Sequence, residues 1–401
     1  MSLTSIQNLI QLQLKLISVM IEPPIYIKIK PSKTTVTTVK LSLATKAKLL
    51  VLVTYAIFIL LNSFWQIKKL PKNTDPTVLA IIGLFSSGIF IGIHMLVNTL
   101  FLKSDDVAAQ LNLILNYEQQ NLCKKFVSGN IQKLFKGIVF LLGRGFPIFA
   151  PIAIGLINVM ELYMPPFIGS VLPEIRMDGW ENIGETVLTC GAHFVAILIQ
   201  AWMVYIISGT VMMLIFHFLV GSVFSLWGSL NQLTSLTKKE GSKLLRKSVI
   251  LHQLRHFRQL KIIEAQINFT MSTTFLPSVL VSFCFANIMS TFLSVSYFRK
   301  GRLFDNLGNF IFLLISWQTN IGIMCFGTMP GLLNKNSIKF LGSFGRREFK
   351  NENLGVSLKK DVKACGQMRI KFGNNFVGIL TPLVMISLCV KLTVKLLLVA
   401  Q

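Results

Sequence analysis

Long apolar runs, separated by short polar connections, constrain this chain more than any other feature. Seven such runs lie near residues 49–65, 78–102, 138–160, 187–223, 272–297, 309–329 and 377–400. A helix that crosses the hydrocarbon core of a bilayer needs about 20 predominantly apolar residues. The sequence therefore predicts an all-α polytopic membrane protein with seven transmembrane helices.

The scarcity of charged residues supports this assignment. Hydrophobic types make up 52% of the 401 residues and charged types only 14%, whereas soluble domains usually carry about 25% charged residues. Such a chain has too few charges to cover a water-facing surface, which excludes an ordinary soluble enzyme and a disordered protein. The net charge of +24 does not indicate nucleic-acid binding, because Lys and Arg lie between apolar runs.

The distribution of basic residues predicts the orientation. In short loops near a membrane, Lys and Arg accumulate on the cytoplasmic side. The N-terminal segment and the three loops on its side hold 30 of the 40 Lys and Arg, and the opposite side holds 7. We therefore expect a multi-pass protein of the plasma membrane, with a cytoplasmic N-terminus and an outer C-terminus.

The predicted organisation has six parts. Residues 1–48 form a cytoplasmic segment, either an amphipathic helix on the inner leaflet or a loosely ordered tail. Residues 49–230 hold the first four spans, and the fourth run is too long for a single crossing. Its continuation, 231–268, is amphipathic and basic, which predicts a long fourth helix that enters the cytoplasm and a helix that returns.

The remaining parts follow the same logic. Residues 269–330 hold the fifth and sixth spans, residues 331–375 form a second basic cytoplasmic segment, and residues 376–401 form the last span. We expect the two basic segments to pack together as a cytoplasmic helical anchor that mediates assembly.

Motifs of enzymes and metal sites are absent from the sequence, which contains no HExxH, no GxxxxGK[ST] and no CxxC. The sequence predicts neither an enzyme nor a cofactor. His252 and His256 are four residues apart and share a helix face. They have no acidic neighbour in the sequence, so a solvated helix face is favoured over a metal site.

The architecture as a whole resembles the insect-type gustatory and odorant receptor superfamily, nearer to its gustatory side. Gustatory receptors carry Thr-Tyr, five apolar residues and Gln-Phe in the last span. Here the aligned stretch reads Thr381-Pro382, then Leu383 to Ser387, then Leu388-Cys389. Only the threonine matches, which indicates a divergent member.

The resemblance implies a ligand-gated cation channel. Similar proteins are tetramers in the lipid bilayer, with identical or different subunits, and the last span of each subunit lines the pore. A small-molecule tastant or odorant binds among the outer halves of the spans. With the predicted orientation, those halves contain the candidate ligand-binding residues Phe85, Phe149, Met160, His193, Phe194, Gln200, Trp202, Phe292 and Trp317.

One face of the last span is predicted to line the pore. Spacings of three and four place five residues on it: Thr381, Val384, Leu388, Lys391 and Lys395. Val384 or Leu388 is the expected hydrophobic constriction, and Lys391 is expected to face the pore because an ammonium near the bilayer centre needs water. The opposite face, which suits lipid or neighbouring helices, holds Leu383, Ile386, Val390, Val394 and Leu397.

Two other functional classes stay open. A membrane transporter would use the intramembrane Arg144, Lys391 and Lys395 as substrate or proton groups. A G-protein-coupled receptor is disfavoured by the predicted inward N-terminus and by the six cysteines, which all lie in predicted spans or inner loops.

Overall fold

The structure is a computed structural model that describes residues 3–29, 34–71, 74–121, 137, 140–174, 183–239, 247–301, 304, 307–345, 356 and 360–400. Most of these residues are helical. The helices are α1 (Leu3–Met20), α2 (Leu43–Lys69), α3 (Pro76–Met95), α4 (Ser104–Asn121), α5 (Phe146–Met160), α6 (Ile183–Met212), α7 (Gly221–Lys239), α8 (Lys247–Met271), α9 (Phe275–Arg299), α10 (Leu307–Gly345) and α11 (Thr381–Val399). Two antiparallel hairpins complete the fold, β1 (Ile25–Ile29) with β2 (Thr34–Thr38), and β3 (Lys371–Phe372) with β4 (Asn375–Phe376).

The predicted all-α polytopic fold is confirmed. In the part of the chain that the structure describes, six helices are long and apolar enough to cross a membrane, namely 43–69, 76–102, 186–235, 275–299, 309–344 and 381–399. The third predicted span corresponds to α5, a shorter apolar helix that is preceded by a wide π-helical turn at Leu141–Gly145. Residues 138 and 139 of that prediction lie outside the described residues.

The long fourth helix is also confirmed. A π-helical segment, Met213–Val220, joins α6 to α7 without a break, so the chain stays helical from Ile183 to Lys239. All eight residues of the π-helical segment are buried. This rod occupies the centre of the protein, and α8 returns beside α7.

The sixth helix differs from its prediction. α10 runs for 39 residues and contains Pro330 in its interior, so the predicted boundary at residue 330 lies within one helix. The apolar run ends near Met329, but the helix continues because Leu333, Phe340 and Phe344 are buried against the rest of the protein. Much of the second predicted basic segment, residues 346–355 and 357–359, lies outside the described residues.

The N-terminal segment begins with a helix that packs on the rest of the protein. Ile10, Leu14 and Ile17 of α1 are buried in the main core, and α1 packs against α4, α6 and α7. The hairpin that follows it was not predicted. The Asn112 side chain of α4 bonds both backbone groups of Val36, with Val36 N 2.8 Å from its Oδ1 and Val36 O 2.7 Å from its Nδ2. It therefore substitutes for a neighbouring strand along β2.

Two glycines bring α10 unusually close to the start of α11. A Cβ on Gly327 would lie 2.3 Å from Pro382 Cγ, and a Cβ on Gly331 would lie 2.5 Å from Ile379 Cα. Real carbon contacts are about 3.5 Å or longer. Only glycine therefore fits at these two positions, which are one helical turn apart.

Candidate ligand cavity and pore helix

A cavity of about 490 Å³ lies among α3, α5, α6, α9 and α10. Small-molecule sites typically occupy about 300–1,000 Å³, with mostly apolar walls and a few polar groups that orient the ligand. The walls here are formed by aliphatic and aromatic side chains such as Ile89, Ile154, Phe283 and Leu314. The cavity has the size and chemistry of a site for a small apolar molecule.

A few hydroxyl and amide side chains also line this cavity, and they differ in their partners. Ser208 donates to the Tyr205 carbonyl at 3.3 Å, and Thr319 donates to the Ile315 carbonyl at 2.9 Å. The Ser282 hydroxyl is buried and has no hydrogen-bond partner among the described residues. A buried hydroxyl without a partner costs about 1–3 kcal/mol, so a polar group on a ligand would gain most by bonding Ser282.

Three of the candidate residues line this cavity, namely Phe85, Phe149 and Trp317. They come from α3, α5 and α10, so the structure brings together residues that are far apart in sequence. Met160 instead lines a second cavity of about 730 Å³, together with Asp75, Tyr163 and Tyr297. The Phe85 ring packs on Phe167, with ring centroids 5.1 Å apart.

The other five candidates lie elsewhere. His193 is buried, with Nε2 3.1 Å from the Pro173 carbonyl oxygen and its ring edge-on to Tyr163. Phe194 is 63% exposed and points away from the bundle. The remaining three, Gln200, Trp202 and Phe292, are buried or half-buried among other helices.

Sequence reasoning missed the glycines that make room for the cavity. Gly88 lies on its wall, and a Cβ added there would meet no atom within 4 Å. Gly92, one turn later, lets α3 approach α6 so closely that a Cβ would lie 2.5 Å from Ile207 Cγ2. The Gly88–Gly92 spacing was a readable signal, because small residues one turn apart are typical of close helix packing in membranes.

The last helix, α11, is only lightly covered by its own subunit. Its buried side chains are Pro382, Cys389 and Thr393, which share the face that packs on α9 and α10. On the predicted pore face Val384 is 66% exposed and Leu388 is 49% exposed, and Lys391 and Lys395 are also exposed. Thr381 is half-buried, and its hydroxyl accepts a hydrogen bond from Gly378 N at 2.8 Å.

The predicted opposite face of α11 is divided between two environments. Ile386 and Leu397 pack against the hydrophobic clusters of the subunit. Leu383, Val390 and Val394 are exposed. The subunit therefore leaves a wide surface of α11 uncovered. The side chain of Arg144, which the transporter hypothesis invokes, lies outside the described residues.

Residues 367–373 form an extended segment that leads from the second basic region toward α11. Side chains of α8 bond the backbone of this segment. Glu264 Oε1 accepts from Arg369 N at 2.7 Å. Asn268 accepts from Lys371 N at 2.8 Å and donates to the Arg369 carbonyl at 2.9 Å. Lys261 Nζ both donates to the Gln367 carbonyl at 3.0 Å and pairs with Glu264 Oε2.

The part of α10 that follows Pro330 also bonds the backbone of residues 367–373, from the side opposite α8. Asn334 donates to the Met368 carbonyl at 2.8 Å, and the Ser337 hydroxyl accepts from Met368 N at 3.0 Å. The ion pair of Arg258 with Asp361, at 3.0 Å, adds a contact just before the segment. Both predicted anchor regions therefore converge on the chain that enters α11.

No family model matches the sequence, and no curated protein matches it. Two solved structures are similar over nearly the whole chain. The insect olfactory receptor OR5 from Machilis hrabei has a TM-score of 0.60 at 10% identity and covers 99% of this chain and 98% of that chain. The same receptor in complex with eugenol has a TM-score of 0.63 at 9% identity, with 99% of both chains covered. This likeness shows that the two chains share a fold.

Proposed function

We propose that this protein, which has the fold of an insect olfactory receptor, is a subunit of a chemosensory receptor that acts as a ligand-gated ion channel in the plasma membrane. The observation that carries the proposal is the apolar cavity of about 490 Å³ that five helices of that fold line. The ligand is a tastant or odorant that binds in this cavity.

The cavity walls favour a particular ligand chemistry. Phe85, Phe149 and Trp317 offer aromatic surface, and Ser282 offers one unpaired hydroxyl. A small, largely apolar molecule with a single hydrogen-bonding group matches this set. Eugenol, which is bound in one of the similar structures, is a small aromatic molecule with one hydroxyl group and is a reasonable first compound to test.

The pore belongs to the proposal as well. The exposed surface of α11 suits contact with other copies of α11 around a central axis, as in a tetramer of identical or related subunits. Val384 and Leu388 would form the narrow apolar part of the pore, where loss of water closes it. Lys391 lies one turn closer to the outside and needs water or an anionic partner.

Filling the cavity tests the ligand site. Gly88→Leu places four side-chain carbons where a Cβ meets no atom within 4 Å, so it should occupy the cavity without disturbing the packing. Gly155→Leu is the matched control, because Gly155 also has open space around it but does not line the cavity. We expect Gly88→Leu to abolish or strongly weaken ligand-evoked current, and Gly155→Leu to leave it unchanged.

The measurement is whole-cell current during application of a panel of small aromatic and terpenoid odorants, with surface expression checked by labelling. Trp317 gives a second readout, because a ligand in the cavity should change the fluorescence of its indole. Ligand-evoked current that is equal in wild type and Gly88→Leu would contradict the placement of the site. A chain that reaches the surface but neither binds nor responds to any compound in the panel would contradict the receptor function.

A further inference from the structure

Two histidines of α8 face each other across one helical turn. His252 Nε2 lies 3.2 Å from His256 Nε2, and the two ring planes are 73° apart. His252 is exposed and His256 is half-exposed, so both reach solvent. Neither residue takes part in the cavity or in the backbone contacts that hold residues 367–373.

The separation of the two nitrogens matches the distance between two ligands of one metal ion. Zinc binds imidazole nitrogen at about 2.0–2.1 Å. Two nitrogens 3.2 Å apart then subtend about 99–106° at the ion, near the tetrahedral angle of about 109°. The nitrogen separation therefore suits one ion, and the rings, whose centroids are 4.3 Å apart, must turn to direct both nitrogens at it.

Gln259 supplies the outer support that such a histidine needs. His256 Nδ1 and Gln259 Oε1 are both buried atoms with no hydrogen-bond partner among the described residues, and the Gln259 side chain lies near His256. A metal-binding histidine usually donates its second ring nitrogen to an oxygen, which fixes the ring and its tautomer. A small rotation of the Gln259 side chain would let Oε1 accept from Nδ1–H of His256 and would leave Nε2 to bind an ion.

We propose that His252 and His256 form a binding site for a divalent transition-metal ion, of which Zn²⁺ is the physiological candidate. No third His, Cys, Asp or Glu completes a metal-binding group within the described ranges, so water fills the remaining positions. The site is independent of the proposed receptor function.

The surroundings of the site set its strength. Arg255 lies between the two histidines in sequence and its positive charge opposes a bound cation. Burial lowers the pKa of His256, with smaller contributions from the charges of His252 and Arg255. The Tyr117 ring of α4 lies edge-on to His256, with centroids 6.2 Å apart. A bound ion would therefore stiffen α8 at its contact with α4.

The test is calorimetric titration of Zn²⁺ into the full-length protein in detergent, purified with a tag that contains no histidine. We expect one ion per subunit, and about tenfold or greater loss of affinity in His252→Gln and in His256→Gln. His94→Gln is the matched control, because His94 has Asn98 rather than a histidine one turn later. Arg255→Gln should bind Zn²⁺ about two- to fivefold more tightly, because it removes a nearby like charge.

Wild-type protein alone provides a further check that does not depend on any variant folding well. Two imidazole ligands predict that Cu²⁺ binds more tightly than Zn²⁺ and that Mg²⁺ and Ca²⁺ do not compete. Absence of Zn²⁺ binding to the wild type would overturn the proposal and leave the 3.2 Å contact as a hydrogen bond between the two rings. Binding that is unchanged in both histidine variants would place the ion elsewhere and overturn it equally.

Discussion

Replacing Gly331 with alanine tests whether α10 determines where the last helix begins. The added Cβ would lie 2.5 Å from Ile379 Cα and 2.7 Å from Ile379 N. Both are backbone atoms, which cannot rotate away as a side chain would. Since an ordinary carbon contact is about 3.5–4.0 Å, the two segments must separate by about 1 Å at this point.

The energetic cost follows from two opposing terms. Overpacking of this kind costs about 1–3 kcal/mol, whereas alanine is favoured over glycine inside a helix by about 0.5–1 kcal/mol. Gly342 lies later on the same helix and has no atom within 4 Å of an added Cβ. Gly342→Ala therefore has only the favourable term, and the difference between the two variants isolates a steric cost of about 1–3 kcal/mol.

The melting temperatures of the two variants are measured side by side in detergent, with the loss of folded protein monitored by size-exclusion chromatography. We expect a lower melting temperature for Gly331→Ala than for wild type, and an equal or higher one for Gly342→Ala. The shift at the start of α11 should also change ligand-evoked current in Gly331→Ala alone. Equal melting temperatures in the two alanine variants would refute the close approach of α10 to Ile379.

Three further expectations follow from other contacts. Asn112→Ala leaves both backbone groups of Val36 without their partner, which costs about 1–3 kcal/mol per buried group. Amide hydrogen exchange in the N-terminal hairpin should therefore accelerate, and unaltered exchange would contradict the Asn112 contact. Lys391→Gln should raise cation permeability relative to chloride, and an unchanged reversal potential in asymmetric salt would show that Lys391 does not face the ion path. Glu264→Ala removes the acceptor of Arg369 N, so exchange across residues 367–373 should accelerate, and protection equal to wild type argues against this contact.

Composition predicted the spans well because lipid imposes one requirement on all of them. Composition did not predict that α10 continues past Pro330, where Asn334 and Ser337 interrupt the apolar pattern. Those polar residues do not end the helix, because they bond the backbone of Met368. A partner more than thirty residues away in sequence leaves no mark in a hydropathy profile.

The residues that line the cavity could be predicted only in part, for a related reason. Charge predicts which halves of the spans are outer, and three residues expected there, Phe85, Phe149 and Trp317, line the cavity. The rotation of each helix about its axis is not readable in a chain that is apolar all round. Trp202 and Val204 lie two residues apart on α6, yet only Val204 lines the cavity. The local sequence does not distinguish them.

The segment before the last helix is recognised through its peptide groups, and this has a consequence for how the sequence can vary. Glu264, Asn268 and Asn334 bond N–H and C=O groups that every residue except proline possesses. These contacts do not depend on the side chains of residues 367–373, but Met368 and Ile370 are buried in the core and Gly373 has a φ of 55°. The length of the segment and these three positions are therefore constrained. Inserting one residue would move every later peptide group away from its hydrogen-bond partner. It would also displace the start of α11 from the glycines of α10 that it contacts. We expect related sequences to keep the length of this junction and its buried residues, and to vary mainly at exposed positions such as Lys371.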